Sequence, residues 1–234
     1  MFVYGVCIGP SSRYGSVLKP SLERLGLGPV VTRTRQPSLF TAYNSILDEA
    51  LRHWPELEGV VLLHEDVQIR DSGFEDRLRF VFADATVGII GVVGGKGHEE
   101  MSWWKATHLY GHVDHATHSD EFTHGTHEVD TVDGLLMALS AQAARRIRLD
   151  GRRYPGFHGY DSELCALTRA AGMRVVVTDL NVFHDCKPGP WSGGMMAPEL
   201  TWAMFEWMIR WRPAPWSTRL VWRFKRAVHA AVAR

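Results

Sequence analysis

An apolar run, Val60-Val61-Leu62-Leu63, stops abruptly at His64-Glu65-Asp66. An imidazole and two carboxylates in consecutive positions can ligate a divalent cation, and a cation so held can bind a phosphate. The same triplet also suits a solvated acidic turn closing a strand. A second stretch, Gly156-Phe157-His158-Gly159-Tyr160-Asp161, opens a helical pattern that stops at Gly172. Asp161 there is placed to cap the helix, a role aspartate fills routinely. A third stretch, Phe183-His184-Asp185, follows an apolar run and offers one more imidazole, for a metal or for a neighbouring backbone group.

The elements that must position these groups alternate. Strands are expected at 2–8, 29–32, 59–63, 87–93 and 173–182, and helices at 16–25, 38–53, 74–83, 135–147 and 161–171. Ser38 is placed to cap its helix, whose apolar face carries Leu39, Ala42, Tyr43, Ile46, Leu47 and Ala50. Alternation of this kind implies a mostly parallel sheet with right-handed crossovers. In such sheets ligands bind just beyond the carboxyl ends of the strands, which is where His64 to Asp66 and His184 fall. The pattern lapses over 94–127, a polar stretch holding seven of the twelve histidines, expected to be a long loop. A Trp/Met-rich helix at 198–211 and a final helix at 217–233 follow, separated by Pro213-Ala214-Pro215.

With 234 residues and 45% hydrophobic content, the chain suits one globular domain with an appendage. Lys+Arg and Asp+Glu balance at 26 each, so no whole-chain charge draws it to nucleic acid. From Arg210 onward, however, every charged residue is Lys or Arg, and the last helix is amphipathic. Such a helix either packs on its own domain or lies on an anionic membrane surface. Cys7, Cys165 and Cys186 form no CxxC pair, which favours a reduced, cytosolic setting. No signal peptide and no membrane span is expected.

The order and spacing of the three stretches resemble the family 2-like glycosyltransferases of GT-A fold. The closest resemblance is to the short bacterial branch with an HxDV acidic motif, here His64-Glu65-Asp66-Val67. It covers about residues 1–190. The resemblance implies an α/β, Rossmann-like GT-A domain over 1–195 and a helical C-terminal extension over 196–234. It implies an inverting transferase that moves a sugar from a nucleotide-diphospho-sugar to the hydroxyl of a saccharide or other acceptor. Asp66 matches the last Asp of the family's metal motif, His64 stands at its first position, and His184 matches a late metal-binding histidine. The implied cofactor is Mn²⁺ or Mg²⁺; a nitrogen ligand at His64 leaves that choice open. Asp161 matches the catalytic base, with Tyr160 where the family usually has an acidic residue. Cys7 and Gly9 would face the nucleotide with Glu65, Asn44 would start the donor-side helix, and Asp133-Gly134 would line the sugar pocket. Trp191, in Lys187 to Gly194, would close over the diphosphate.

The chemistry agrees with these roles. A base must take the proton of the attacking hydroxyl, and a helix N-terminus favours an ionised Asp161. The departing diphosphate needs a cation or fixed dipoles. The histidines between His108 and His127 also invite a Zn²⁺ reading, but no CxxC or HExxH accompanies them. On the glycosyltransferase reading the stretch is a mobile flap over the acceptor side, with Trp103 and Trp104 at its base. Two other functions compete. A sugar-phosphate nucleotidyltransferase needs a Gly-rich basic loop after its first strand, which Gly9-Pro10-Ser11-Ser12-Arg13 does not match. A non-catalytic module that binds metal or nucleotide-sugar through the His-rich stretch remains open.

Overall fold

The computed structural model describes residues 1–10, 12–98, 101–154, 156–186 and 198–232. Its first half alternates strand and helix. β1 (Phe2–Ile8) leads through a π-helical turn (Tyr14–Leu18) into α1 (Lys19–Leu25), and β2 (Val30–Thr34) into α2 (Leu39–His53). β3 (Gly59–Leu63) and the short β4 (Val67–Ile69) flank the His64 triplet, before α3 (Phe74–Phe82) and β5 (Val87–Gly91). The next stretch is mainly strands, β6 (Val93–Lys96), β7 (His108–His115), β8 (Ser119–Glu121), β9 (His127–Val129), β10 (Thr131–Val132) and β11 (Leu136–Ser140), with one 3-10 turn (Trp103–Lys105) between β6 and β7. α4 (Ala141–Arg146), α5 (Tyr160–Ala170), β12 (Arg174–Val177), β13 (Val182–His184), α6 (Pro198–Trp211) and α7 (Trp216–Val232) complete the chain.

Seven strands form the main sheet in the order β2-β1-β3-β11-β5-β12-β9. β1 pairs in parallel with β2 and β3, and β12 with β5, while β11 runs antiparallel between β3 and β5 and β9 antiparallel on β12. Five of the seven strands therefore share one direction. Both faces are covered, which explains the unbroken apolar runs. Val60 and Leu62 enter one core with α2, α4, α5 and α6, while Val61 and Leu63 enter the other with α1, α3 and β4. This is the two-residue period of a strand applied to a sheet buried on both sides.

A second sheet, β10-β6-β7-β13-β4 with β8 on β7, stands at the end of the first. The two sheets correct two sequence expectations. Within the stretch 94–127, expected as a loop, run β6, β7 and β8, and along β7 the side chains alternate about the buried Gly111 and Val113. Histidine reads as polar by type, yet His112 and His115 on β7 are half-buried, so composition hid the pairing. The stretch 135–147, expected as one helix, is a buried strand followed by a short helix. Leu136 to Ser140 pairs with β3 along its length and Met137 to Leu139 also with β5, and Ser140 then caps α4 by accepting from Ala143 N–H at 3.3 Å. Tertiary pairing overrode helix propensity there.

Other expectations hold. Ser38 caps α2, its hydroxyl accepting from Thr41 N–H at 3.2 Å. The C-terminal helices dock on the domain through buried carboxylates. Glu163 of α5, wholly buried, accepts from Tyr154 Oη (2.8 Å), Trp211 Nε1 (2.6 Å) and Arg210. Glu206 of α6 accepts from Arg153 Nη1 (2.9 Å) and from Arg226 of α7.

Candidate active site

The triplet lies in the turn between β3 and β4, beyond the carboxyl end of a central strand. β4 pairs antiparallel with β13, Val67 opposite His184, and Asp185 N–H donates to the Asp66 carbonyl at 2.9 Å. Register thus carries His184 to the acidic turn from far along the chain. His184 Nε2 lies 3.3 Å from Asp66 Oδ1. The donor atoms of His64, Asp66 and His184 all lie within 4.8 Å of one another. Their ionisation is mutual. Burial opposes the charge of Asp66, but His184 outweighs it and holds the carboxyl below its usual range. Burial likewise opposes the charge of His184, and Asp66 outweighs it and raises the imidazole. His64, deeper, is lowered by burial and by His184, which favours its neutral form.

His64 is held from the other side of the site. Its Nε2 and the Tyr160 hydroxyl are hydrogen-bonded at 2.6 Å, and the Tyr160 ring meets Tyr43 edge-on. Tyr160, expected only as a substitute for an acidic residue, therefore ties the metal-competent turn to the start of α5. Gly159 makes the entry to α5 with φ 83°, a left-handed turn that suits glycine. Gly134 is equally constrained: a Cβ there would lie 2.1 Å from Tyr160 Oη.

Asp161 follows Tyr160. Its Oδ1 accepts from Ser162 N–H at 2.8 Å, and the Gly134 N–H also donates to it. These amides favour the ionised form, as a helix N-terminus should, but they are outweighed. Burial first, and the nearby Asp133 second, push the Asp161 pKa up to about 7. The sequence expectation of an Asp161 held ionised by its helix is corrected accordingly. Asp133 is fixed by Leu135 N–H and Trp103 Nε1–H, both at 2.8 Å. Trp103 is thus a buried anchor, whereas Trp104 is 56% exposed.

Two cavities meet at His64, Leu39 and Phe157. One, of 650 Å³, has Asp161, Tyr160, Asp133, Gly134, His158, Trp104 and Lys105 on its walls. The other, of 320 Å³, runs along Cys7, Gly9, Arg35, Glu65 and Asp66, and Gly9 N–H donates to Glu65 Oε2 at 3.1 Å. Cys7, Gly9 and Glu65 therefore line the smaller cavity, and Asp133 and Gly134 the larger one. Asn44 lines neither. Its amide clasps the backbone of Leu149, donating to the carbonyl at 2.8 Å and accepting from the N–H at 2.9 Å, beside a separate cavity lined by Arg33 and Asp48. The amide thus clamps α2 to the segment that follows α4. Trp191 and the rest of 187–194 lie outside the described residues. Arg35 gave no sequence signal; it reaches the smaller cavity through a left-handed backbone, φ 53°.

The model of the glycosyltransferase-like family matches residues 30–192. The chain belongs to the glycosyltransferase-like family. The streptomycin biosynthesis protein StrF of Streptomyces griseus is 35% identical over 188 residues, 79% of this chain, and the chain spans 66% of StrF's length. Among solved structures, this glycosyltransferase-like domain resembles GalNAc-T7 with UDP, GalNAc and Mn²⁺. That match has a TM-score of 0.55 and 11% identity, and covers 90% of this chain and 49% of that one. It also resembles the mannosyltransferase PcManGT of Pyrobaculum calidifontis in complex with GDP-Man and Mn²⁺, with TM-score 0.53, 13% identity and coverages of 99% and 73%. At such identities the likeness shows the fold, which is the GT-A type. Among the described residues no helix is long and apolar enough to cross a membrane.

Proposed function

We propose that this domain is an inverting glycosyltransferase that uses a nucleotide-diphospho-sugar. The observation that supports it most is the meeting, around His64, of a His64–Asp66–His184 donor set and a cavity walled by Asp161. In the reaction the acceptor oxygen bonds to the anomeric carbon as the bond from that carbon to the diphosphate breaks. The diphosphate leaves with the bonding pair. Asp161 takes the hydroxyl proton, and a base with pKa about 7 is well matched to that task.

His64, Asp66 and His184 would hold a divalent cation on the diphosphate. The donor set fits: one carboxylate held ionised, a neutral imidazole, and a second imidazole whose present partner is that carboxylate. Two nitrogens suit Mn²⁺ better than Mg²⁺, and Mn²⁺ accompanies the nucleotide in both glycosyltransferase structures compared. When bound, the cation supplies positive charge to the departing diphosphate. The smaller cavity, with Cys7, Gly9, Glu65 and Arg35, would take the nucleoside. The larger one, with the exposed Trp104, would take the sugar and the acceptor.

Asp161→Asn tests the base. It should retain binding of nucleoside diphosphate and lose transfer; undiminished transfer would reject the role. A peripheral membrane contact is part of the same reading. α7 exposes Trp216, Leu220, Val221, Phe224 and Val228 beside Arg219, Arg223 and Lys225, as a helix lying on anionic lipid would. Failure to co-sediment with anionic liposomes would remove that partner. The competing reading, a binding module without turnover, gains no observation beyond the metal-competent residues themselves.

A further inference from the structure

Strand register brings a second set of donors together next to the first. β13 pairs in parallel with β7, His184 opposite His115. Cys186 follows His184 by two residues, the spacing at which an extended chain returns to the same face. A nitrogen of His115, a nitrogen of His184 and Cys186 Sγ lie within 4.8 Å of one another. All three side chains are partly buried rather than displayed on the surface.

The geometry points to a chemistry different from that of the diphosphate cation. His115 Nδ1 is 3.5 Å from Cys186 Sγ. Zinc–nitrogen and zinc–sulfur bonds of about 2.0 and 2.3 Å at a tetrahedral angle place N and S about 3.5 Å apart. The opposite nitrogen, His115 Nε2, lies 3.2 Å from Asp120 Oδ2. A carboxylate accepts, so the ring proton belongs on Nε2 and the lone pair on Nδ1, facing the sulfur. A carboxylate behind a histidine in this way is the usual outer support of a metal ligand. Asp120 is placed by the β7–β8 hairpin, whose turn is closed by His115 N–H donating to the His118 carbonyl at 2.8 Å. The His118 ring stacks on His115 with centroids 4.4 Å apart and fixes its plane. Finally, His184 Nδ1 is buried and has no hydrogen-bond partner among the described residues.

We propose that His115, Cys186 and His184 form a second, thiophilic metal site of the Zn²⁺ class, with Asp120 orienting His115. Three protein ligands leave a fourth position open to solvent. The sulfur separates this site from the oxygen-and-nitrogen set around Asp66, although both draw on His184. Neither the His-rich stretch nor Cys186 carries the site alone; it exists because β7 and β13 are neighbours.

The test uses metal alone and does not depend on glycosyl transfer. Co²⁺ added to the metal-free protein should give one equivalent of tetrahedral visible absorption with a thiolate-to-cobalt charge-transfer band in the near ultraviolet. Zn²⁺ should abolish that band by displacement. Cys186→Ser should remove it, and Asp120→Asn should weaken Zn²⁺ binding about tenfold or more. In the wild-type chain Zn²⁺ should slow alkylation of Cys186 about tenfold or more, leaving Cys7 unaffected, as mapped by mass spectrometry. A band that survives Cys186→Ser, Co²⁺ binding without a thiolate band, or Cys186 alkylation indifferent to Zn²⁺ would each overturn the site. The alkylation experiment needs no variant, so misfolding of a mutant cannot imitate failure.

Discussion

The ionisation of Asp161 sets an acid limb in the pH dependence of kcat/KM. Burial is the larger cause of its raised pKa, about 7, and Asp133 the next. A base works only when ionised, so the competent fraction rises from about one-tenth near pH ~6 to about nine-tenths near pH ~8, roughly tenfold. Asp133→Asn removes the second cause and leaves the first. The limb should move to lower pH without reaching the usual carboxylate value of 3.8. The stability linkage has a definite sign. The folded pKa lies above the unfolded one, so Asp161 contributes fully below about pH 4 and loses that contribution as pH rises through about 7. Asp133→Asn should shrink this loss. The substitution also has a fixed cost: Asp133 accepts from both Leu135 N–H and Trp103 Nε1–H, and an amide oxygen with an NH₂ in place of the second oxygen leaves one donor unmatched. That costs about 1–3 kcal/mol at every pH and is separable from the titration. The assay is nucleoside diphosphate release at subsaturating donor across the neutral range, with melting temperature measured in parallel. A flat wild-type profile, or a limb that Asp133→Asn does not move, would refute the reasoning.

Three further outcomes are expected. Tyr160→Phe removes the 2.6 Å bond to His64; metal-dependent nucleotide affinity should fall about 10–100-fold by titration calorimetry, as for lost outer support of a ligand. Glu163→Ala strands Arg210, Trp211 and Tyr154 around an emptied buried carboxylate site, so stability measured by chemical denaturation should fall by about 3–5 kcal/mol. Asn44→Ala breaks both bonds to Leu149 and should lower the melting temperature while leaving the Kd for nucleoside diphosphate unchanged.

The strands that carry the site were legible because a sheet covered on both faces demands continuous apolar runs, as in β3 and β5. The acidic turn, Asp161 and Asp133-Gly134 were legible from residue type and order. What depends on pairing was not. Leu136 to Ser140 carries enough Leu, Met and Ala for a helix, and only its place between β3 and β5 makes it a strand. The strand β7 was hidden because histidine is polar by type, yet His112 and His115 are half-buried there. The bond of Tyr160 to His64 joins residues 96 positions apart. The motif of Asn44 resembles a donor-binding segment, and nothing local shows that its amide satisfies the distant Leu149 backbone. Register also brought His115 to His184, a pairing with no trace in either local sequence.

The proposed role of Asp66 and its histidines is to hold a cation on a nucleoside diphosphate. The measurement that tests it most directly is calorimetric titration of UDP, GDP, TDP and CDP into the metal-free protein, with and without Mn²⁺, repeated on Asp66→Asn. One nucleotide should bind only when Mn²⁺ is present, and Asp66→Asn should weaken that binding about tenfold or more. Binding that ignores both Mn²⁺ and the Asp66 substitution, or no binding by any of the four, would contradict it.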